Sequence, residues 1–481
     1  MNDLTHSWRK YVRNLDDVIE QLHLQQIIAV GVAPYQRIIP AFFMRRSHYQ
    51  IYCVRDSADI DVLQNYANIY CLEQKNPKIA LKVQSTGYLL KNYMFQGFLK
   101  NQRSQYTLLF YQTTKPIVDF LNAENIPWIG NDPKSFDPVL HKDTFRNLLK
   151  SLKLKHLEDW TLSVAEFRDK NFEEIFKRWG SSVVVQPGDY EISGGTMFIH
   201  SEQDLLLAKQ TVISEKFEKV HTIKLTPFVT GNALSMLGCA TEQGVLTSTL
   251  QLQLVDVPES LHGHPASGHF FGHDWGFHPW SSETEKKAQK IVETIGHWLY
   301  RRGYTGIFGI DFILDQEKND LYPLECNPRF TGAIPVYSQL NLLTGVPPID
   351  FFTLVSYLKI PVQFDFNAVN DAWKQPHNVA HIAIVPYGIE TMKVNLACGI
   401  YTYHEKEKAL EYLRPGAFLH ELKNDREFII IDPVPRLNQP IMQGVPRLFK
   451  FIFPHTIAEA TNKIKPLYGE ILSSMGNLLR H

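Results

Sequence analysis

Three oxygen-bearing side chains lie close together late in the chain: Asp311 in GIDF, then Glu325 and Asn327 in ECNPRFTG. Two carboxylates and an amide offer only hard oxygen ligands. Such a set suits Mg²⁺ accompanied by waters and phosphates.

The elements that must position these residues read as a β-hairpin. Ile307–Leu314 and Leu321–Asn327 are apolar arms, and the polar run Gln316–Asp320 is the turn. A turn symmetric about Lys318 sets Asp311 across from Glu325, with the side chains about 5 Å apart. Facing carboxylates repel, so the pairing costs stability unless a cation lies between them. Residues two apart share a face of a strand, which groups Glu325, Asn327 and Arg329 and turns Ile310, Phe312, Leu314 and Cys326 toward a core. The alternative is an ordinary hairpin with solvated acids, but these acids lie inside the apolar arms and not at the tip.

The pattern G-x-D-F followed by E-C-N-P-R-F-T-G resembles the metal-binding core of the ATP-grasp superfamily. The resemblance implies ATP and Mg²⁺ as cofactors, Asp311, Glu325 and Asn327 as metal ligands, and Arg329 on phosphate or substrate. Lys142, opening a helix with Phe145, Leu148, Leu149 and Leu152 on one face, matches by position a lysine that reaches the ATP phosphates. Ser193-Gly194-Gly195-Thr196 matches the phosphate-covering loop, where glycines let backbone N–H groups close over oxygens; a plain glycine turn is the alternative. Thr226, Pro227, Phe228 and Val229 match the hinge whose backbone reads adenine, and Gln253 matches a polar position near ribose and phosphate. The segment after Arg329, Phe330 to Ala333, resembles one that touches substrate. The chain departs from the family twice. Gln186 stands where a phosphate-binding lysine is usual, a loss of about 1.5–3 kcal/mol for one charged contact. Thr226 stands where many relatives carry an acid.

The rest of the chain supplies a scaffold for this site. Strand-like runs Ile27–Val32, Gln50–Val54 and Tyr106–Tyr111 alternate with helical spacings, including a helix over Arg37–Arg46, and predict a parallel, doubly wound sheet. No G-x-G-x-x-G follows a strand, which argues against a dinucleotide site. Gly31 and Ala33–Arg37, at a strand end, are candidates for contact with the non-nucleotide substrate; a structural turn is the alternative. Ser282 with Glu285 reads as a capping box, opening a helix that ends at Gly303. His262, His264, His269, His273 and His278 crowd a glycine-rich stretch. Their spacings match no zinc motif, and a substrate-facing lid is the better reading. Gln363–His377 reads as a linker and His455–Met475 as a final helix. The expected class is α/β and α+β: a parallel α/β domain over 1–130, an ATP-grasp domain over 131–360 with a lid at about 155–230, and a small C-terminal α+β domain over 375–481.

At 481 residues, 44% hydrophobic and 21% charged, the chain reads as globular, with two to four domains' worth of core. A net charge of −1 gives no electrostatic case for nucleic acid or an acidic membrane. No apolar run approaches a membrane span, and the polar start MNDLTHSWRKYVRNLDDV has no signal core. Five scattered cysteines without C-x-x-C argue for reduced thiols in a cytoplasmic setting. The resemblance then implies a carboxylate–amine ligase acting on small molecules through an acylphosphate, and it leaves room for a homodimer. A biotin carboxylase-like carboxylase or a kinase on the same fold, or a nucleotide-binding regulator without catalysis, are the alternatives.

Overall fold

The computed structural model describes residues 5–80, 85–102, 105–180, 182–189, 195–261, 268–385, 390–441 and 448–480. Toward the N-terminus five strands form a wholly parallel sheet. Their spatial order is Asn68–Cys71, Tyr49–Cys53, Ile27–Gly31, Thr107–Leu109 and Trp128–Ile129. Ile27–Gly31 is buried along its whole length, as a central parallel strand covered on both faces must be. The expected helix over Arg37–Arg46 is instead two 3₁₀ turns, Tyr35–Arg37 and Ile39–Phe42. Ile38, Ile39, Ala41, Phe42, Phe43 and Met44 are all buried, so the run has no solvent face to make it amphipathic. Pro40 sits in the first turn of the second element, where its missing N–H is tolerated.

The largest sheet has eleven strands, and its pairings are antiparallel. The hairpin strands Gly306–Asp315 and Asp320–Asn327 form one edge. Gly231–Thr241, Gln251–Val255 and Phe270–Asp274 follow, then Ala380–Ala383. Lys450–Phe453, Phe428–Ile431, Gly399–His404 and Ala409–Arg414 continue the same ladder, so the last third of the chain extends the sheet that carries the acids. The helix Ser282–Arg301 covers this sheet with Ala288, Ile291, Val292, Ile295 and Leu299. Its N-cap is Ser281, one residue earlier than expected, accepting from Thr284 N–H. Glu285 is therefore free of capping duty and instead accepts from Thr249 Oγ1 and Leu250 N–H.

Two further expectations fail. Gln363–His377, expected to be a linker, contains the helix Phe366–Trp373, capped by Asp365 accepting from Ala368 N–H, and its Trp373 is fully buried. The final helix is Pro466–Arg480; the ten residues before it hold the small hairpin Ala458–Ala460 and Lys463–Ile464. All five cysteines are buried free thiols.

A separate four-stranded antiparallel sheet lies over the site. Its order is Trp160–Ser163, Thr222–Pro227, Val183–Pro187, Met197–Ile199. It has its own core, built from Leu162, Phe167, Ile175, Val183, Val185, Ile223 and Leu225.

Candidate active site

The hairpin turn is tighter than a symmetric loop about Lys318. Asp315 pairs with Asp320, Leu314 with Leu321 and Phe312 with Pro323, a register that alone would face Asp311 with Leu324. A bulge then skips Leu324 and pairs Asp311 with Glu325, Ile310 with Cys326 and Gly309 with Asn327. The expected pairing is present, but an inserted residue produces it. Ile310, Phe312 and Cys326 point into the core as alternation requires.

The polar groups converge. Asn327 Nδ2 donates to Asp311 Oδ2 at 3.0 Å and Glu325 Oε1 at 3.3 Å. Gln253 Nε2 donates to Asp311 Oδ1 at 2.9 Å, and Arg329 Nη2 to Asn327 Oδ1 at 2.9 Å. Lys142, the first residue of the helix Lys142–Ser151, reaches across to Glu325 Oε2 at 3.2 Å. The Lys142 ammonium is the main force holding Glu325 well below the usual carboxylate range. Burial and the charge of Glu325 push Asp311 well above it. Glu325 is nonetheless 40% exposed, because it borders an open cavity while lying deep among protein atoms.

That cavity, of about 1030 Å³, lies between the acid hairpin and the four-stranded sheet. Asp311, Glu325, Asn327, Arg329, Lys142, Gln253, Gln186 and Thr196 all line it, as do Thr226, Pro227, Phe228 and Val229. Gln186 Nε2 donates to Thr196 Oγ1 at 3.0 Å. Of the expected phosphate loop, Gly195 and Thr196 are described; Ser193 and Gly194 lie outside the described residues. The small hairpin near the C-terminus also reaches the cavity, with Ala460, Thr461 and Asn462. Thr461 ties it to the acid sheet, accepting from Ala233 N–H at 3.1 Å and donating to the Gln253 carbonyl at 2.6 Å.

The donor set fits Mg²⁺. Two carboxylates meet on one face, with Asp311 pushed up by burial first and by the charge of Glu325 second; Asn327 turns its Nδ2 to both acids and its Oδ1 to Arg329, so its oxygen joins a metal only when the amide turns over. Among the described residues no three His, Cys, Asp or Glu side chains gather as a metal site, so an all-protein zinc site has no support there. Of the five histidines, His262 and His264 lie outside the described residues. His273 is on a strand, not a loop; it lines the cavity and pairs through Nδ1 with His381 Nε2 at 3.0 Å. His278 bonds to the Trp275 carbonyl.

The strand end proposed for substrate contact is filled. Arg37 is buried and donates to the carbonyls of Val30 and Ala33. A Cβ on Gly31 would fall 1.8 Å from its guanidinium carbon. Arg37 stacks over Tyr111, and Tyr111 stacks on Phe330 with ring centroids 3.6 Å apart. Gly31 and Arg37 therefore hold the N-terminal sheet against the segment after Arg329, and neither lines the cavity.

Among the cavity residues that sequence reasoning missed is Lys224. Lys224 is only 2% exposed, on the strand Thr222–Pro227, and it lines the cavity beside Thr226. Its signal is present in Thr-Ile-Lys-Leu-Thr-Pro, where alternation places Lys224 and Thr226 on the face opposite Ile223 and Leu225.

Residues 170–333 match the family model of the ATP-grasp domain. That segment, about a third of the chain, is similar to the ATP-grasp domain, a family that takes ATP with Mg²⁺. A curated relative is the arginine-specific large chain of carbamoyl phosphate synthase from Geobacillus stearothermophilus. It is 27% identical over 237 residues, 49% of this chain and 20% of that one. The match thus spans about a fifth of the relative's length. Among solved structures, the biotin carboxylase domain dimer of the 2-oxoglutarate carboxylase from Hydrogenobacter thermophilus, bound to MgADP, ADP and bicarbonate, has a TM-score of 0.59 at 12% identity. It covers 90% of this chain and 86% of its own. The L-amino acid ligase from Bacillus licheniformis has a TM-score of 0.53 at 11% identity, over 95% of this chain and 98% of its own. At such identities these two likenesses establish the fold. No helix of the described residues is long and apolar enough to cross a membrane.

Proposed function

We propose that the protein is an ATP- and Mg²⁺-dependent ligase that joins a small-molecule carboxylate to an amine. The observation that carries this reading is the convergence of Asp311, Glu325 and Asn327 with Lys142 and Arg329 in one cavity. In this reading the substrate carboxylate oxygen attacks the γ-phosphorus, the bond to the β,γ-bridging oxygen breaks, and ADP leaves. The amine nitrogen then attacks the acyl carbon of the acylphosphate, phosphate departs, and the amine loses a proton. Asp311, Glu325 and Asn327 would hold Mg²⁺, which when bound supplies neutralising charge to the phosphates. Arg329 and Lys142 stabilise the negative charge of the transferred phosphoryl group. The hinge Thr226–Val229 seats the base, Gln253 orients Asp311, and Gln186 and Thr196 border the phosphates with Ser193, Gly194 and Gly195. The named relatives that carry out ligation or carboxylation on this fold support the class. A cytoplasmic homodimer is part of the same proposal, motivated by the dimeric carboxylase domain.

The test is ADP and phosphate release by the full chain over a panel of carboxylates, each with and without amines. Release that needs both partners, with an amide product by mass spectrometry, is the expected result. Release with bicarbonate alone moves the protein to the carboxylases, and AMP in place of ADP removes the acylphosphate route. Glu325→Ala is expected to cut turnover by roughly a hundredfold to a thousandfold while the melting profile stays cooperative. Unchanged turnover in that variant removes the metal assignment.

A further inference from the structure

The wall facing the acids carries an unexplained charge. In the lid sheet Gln186 pairs directly with Lys224, and Val184 with Thr226. Directly opposed residues of an antiparallel pair project to the same side, with their Cβ atoms about 5 Å apart. The amide of Gln186 and the ammonium of Lys224 therefore enter the cavity side by side. The Lys224 Nζ donates to the backbone carbonyl of Lys142 at 3.1 Å, which anchors it at the root of the lysine that meets Glu325.

Asp159 and Asp143 lie near enough to favour its charged form, but among the described residues neither forms an ion pair with it. Asp159 is engaged by Arg146 and Lys150 at 4.0 and 3.3 Å, and Asp143 accepts from Thr222 Oγ1 at 3.0 Å. Arg146, itself buried, lines the same corner of the cavity and spends its Nη1 on the Leu157 carbonyl. A buried ammonium beside two other cations is a costly arrangement for a scaffold and a useful one for an anion.

We propose that Lys224 is a phosphate-binding residue of this nucleotide site, restoring from the neighbouring strand the positive charge that Gln186 does not bring. The inference rests on the nucleotide reading of the cavity. A bound nucleotide's phosphates gain one cation from the helix start, Lys142, and one from the lid sheet, Lys224. Gln186 is left as a neutral donor paired with Thr196. Two features agree with this role. Burial, with the nearby charges of Arg146 and Lys142, pulls the Lys224 ammonium down to about 7 despite Asp159 and Asp143, so an arriving anion favours its charged form. Its position two residues before Thr226 places it on the strand that leads into the adenine hinge.

The test is isothermal calorimetry on the full chain with ATP–Mg²⁺, ADP and adenosine, for the wild type, Lys224→Met, Lys224→Arg and Lys224→Met with Gln186→Lys. Lys224→Met is expected to weaken ATP and ADP by roughly tenfold to a hundredfold and to leave adenosine unchanged. Lys224→Arg is expected to keep most of the affinity, and Gln186→Lys in the Met background to restore it. Thermal melting serves as the control: a phosphate ligand held at a stability cost predicts a Tm for Lys224→Met equal to or above wild type. ATP affinity equal to wild type in Lys224→Met, or adenosine lost in step with ATP, overturns the proposal and leaves Lys224 as a strut between strand and helix. A wild-type protein that binds neither ATP nor adenosine overturns the nucleotide reading itself.

Discussion

The two walls of the cavity are built by different rules. The acid wall draws Asp311, Glu325 and Asn327 from a single hairpin, within seventeen residues of chain, and their register is local. The cations come from three places: the start of one helix for Lys142, which meets Glu325 across the cavity, a position one turn on for Arg146, and a lid strand for Lys224. Metal ligands must hold a fixed geometry around one small ion, and a hairpin enforces that cheaply. Phosphate charge is spread over several oxygens, so the positive wall needs a total charge more than a particular residue. In the proposal above, Lys224 supplies from the neighbouring strand the charge that its pair partner Gln186 lacks, and the wall keeps its sign.

Mutations on the two walls test this contrast. The largest effect belongs to the acid wall: Glu325→Ala removes a carboxylate of the proposed Mg²⁺ site, and turnover should fall by roughly a hundredfold to a thousandfold. Lys142→Ala comes next. It is expected to lower ADP release by roughly tenfold to a hundredfold, because Lys224 and Arg146 retain part of the wall's charge. A loss as deep as that of Glu325→Ala would mean that the cations do not share the load. The loss of affinity for Lys224→Met should be similar or smaller, and confined to phosphate-bearing ligands.

Lys224 should also show in the pH dependence of stability. Its folded value of about 7 lies below the ordinary lysine value near 10.4, so between these pH values the unfolded chain binds more protons. Stability from this residue therefore rises with pH across that window, and the burial cost is fully present below pH 7. Lys224→Met should raise stability most at pH 6 to 7, by on the order of a few kcal/mol at most, with a matching rise in Tm, and the difference should shrink toward pH 10. A difference that grows with pH would contradict the buried-ammonium description. The smallest effect is expected from Thr461→Ala, which loses two hydrogen bonds tying the C-terminal hairpin to the acid sheet. A cost of about 1–2 kcal/mol in urea melts, with turnover changed only a few-fold, is the expected outcome. A thousandfold loss of turnover would give that hairpin a direct part in the chemistry.

Much of the acid wall could be read from the sequence because β-alternation and a short turn are local properties. Even so, the turn is tighter than symmetry about Lys318 implies, and the bulge at Leu324 compensates. The helix Lys142–Ser151 was legible from its apolar spacing, and Lys142 from its place at the start. Where segments were misread, burial by distant chain overrode the local pattern. Phe366–Trp373 looks like a linker until Trp373 finds its pocket and Asp365 caps the helix. The run after Arg37 looks helical until every apolar side chain in it is enclosed.

The order of residues by itself determined the acid-bearing hairpin and the parallel N-terminal sheet, since each follows from period-two alternation or from strands alternating with helices. Only the tertiary structure decided that Gln186 and Lys224 are neighbours, because cross-strand register couples residues 38 positions apart through backbone hydrogen bonds that no local spacing encodes. It also decided that strands from the last third of the chain extend the acid sheet, because an open sheet edge lowers its free energy by pairing with whichever strand the fold brings alongside.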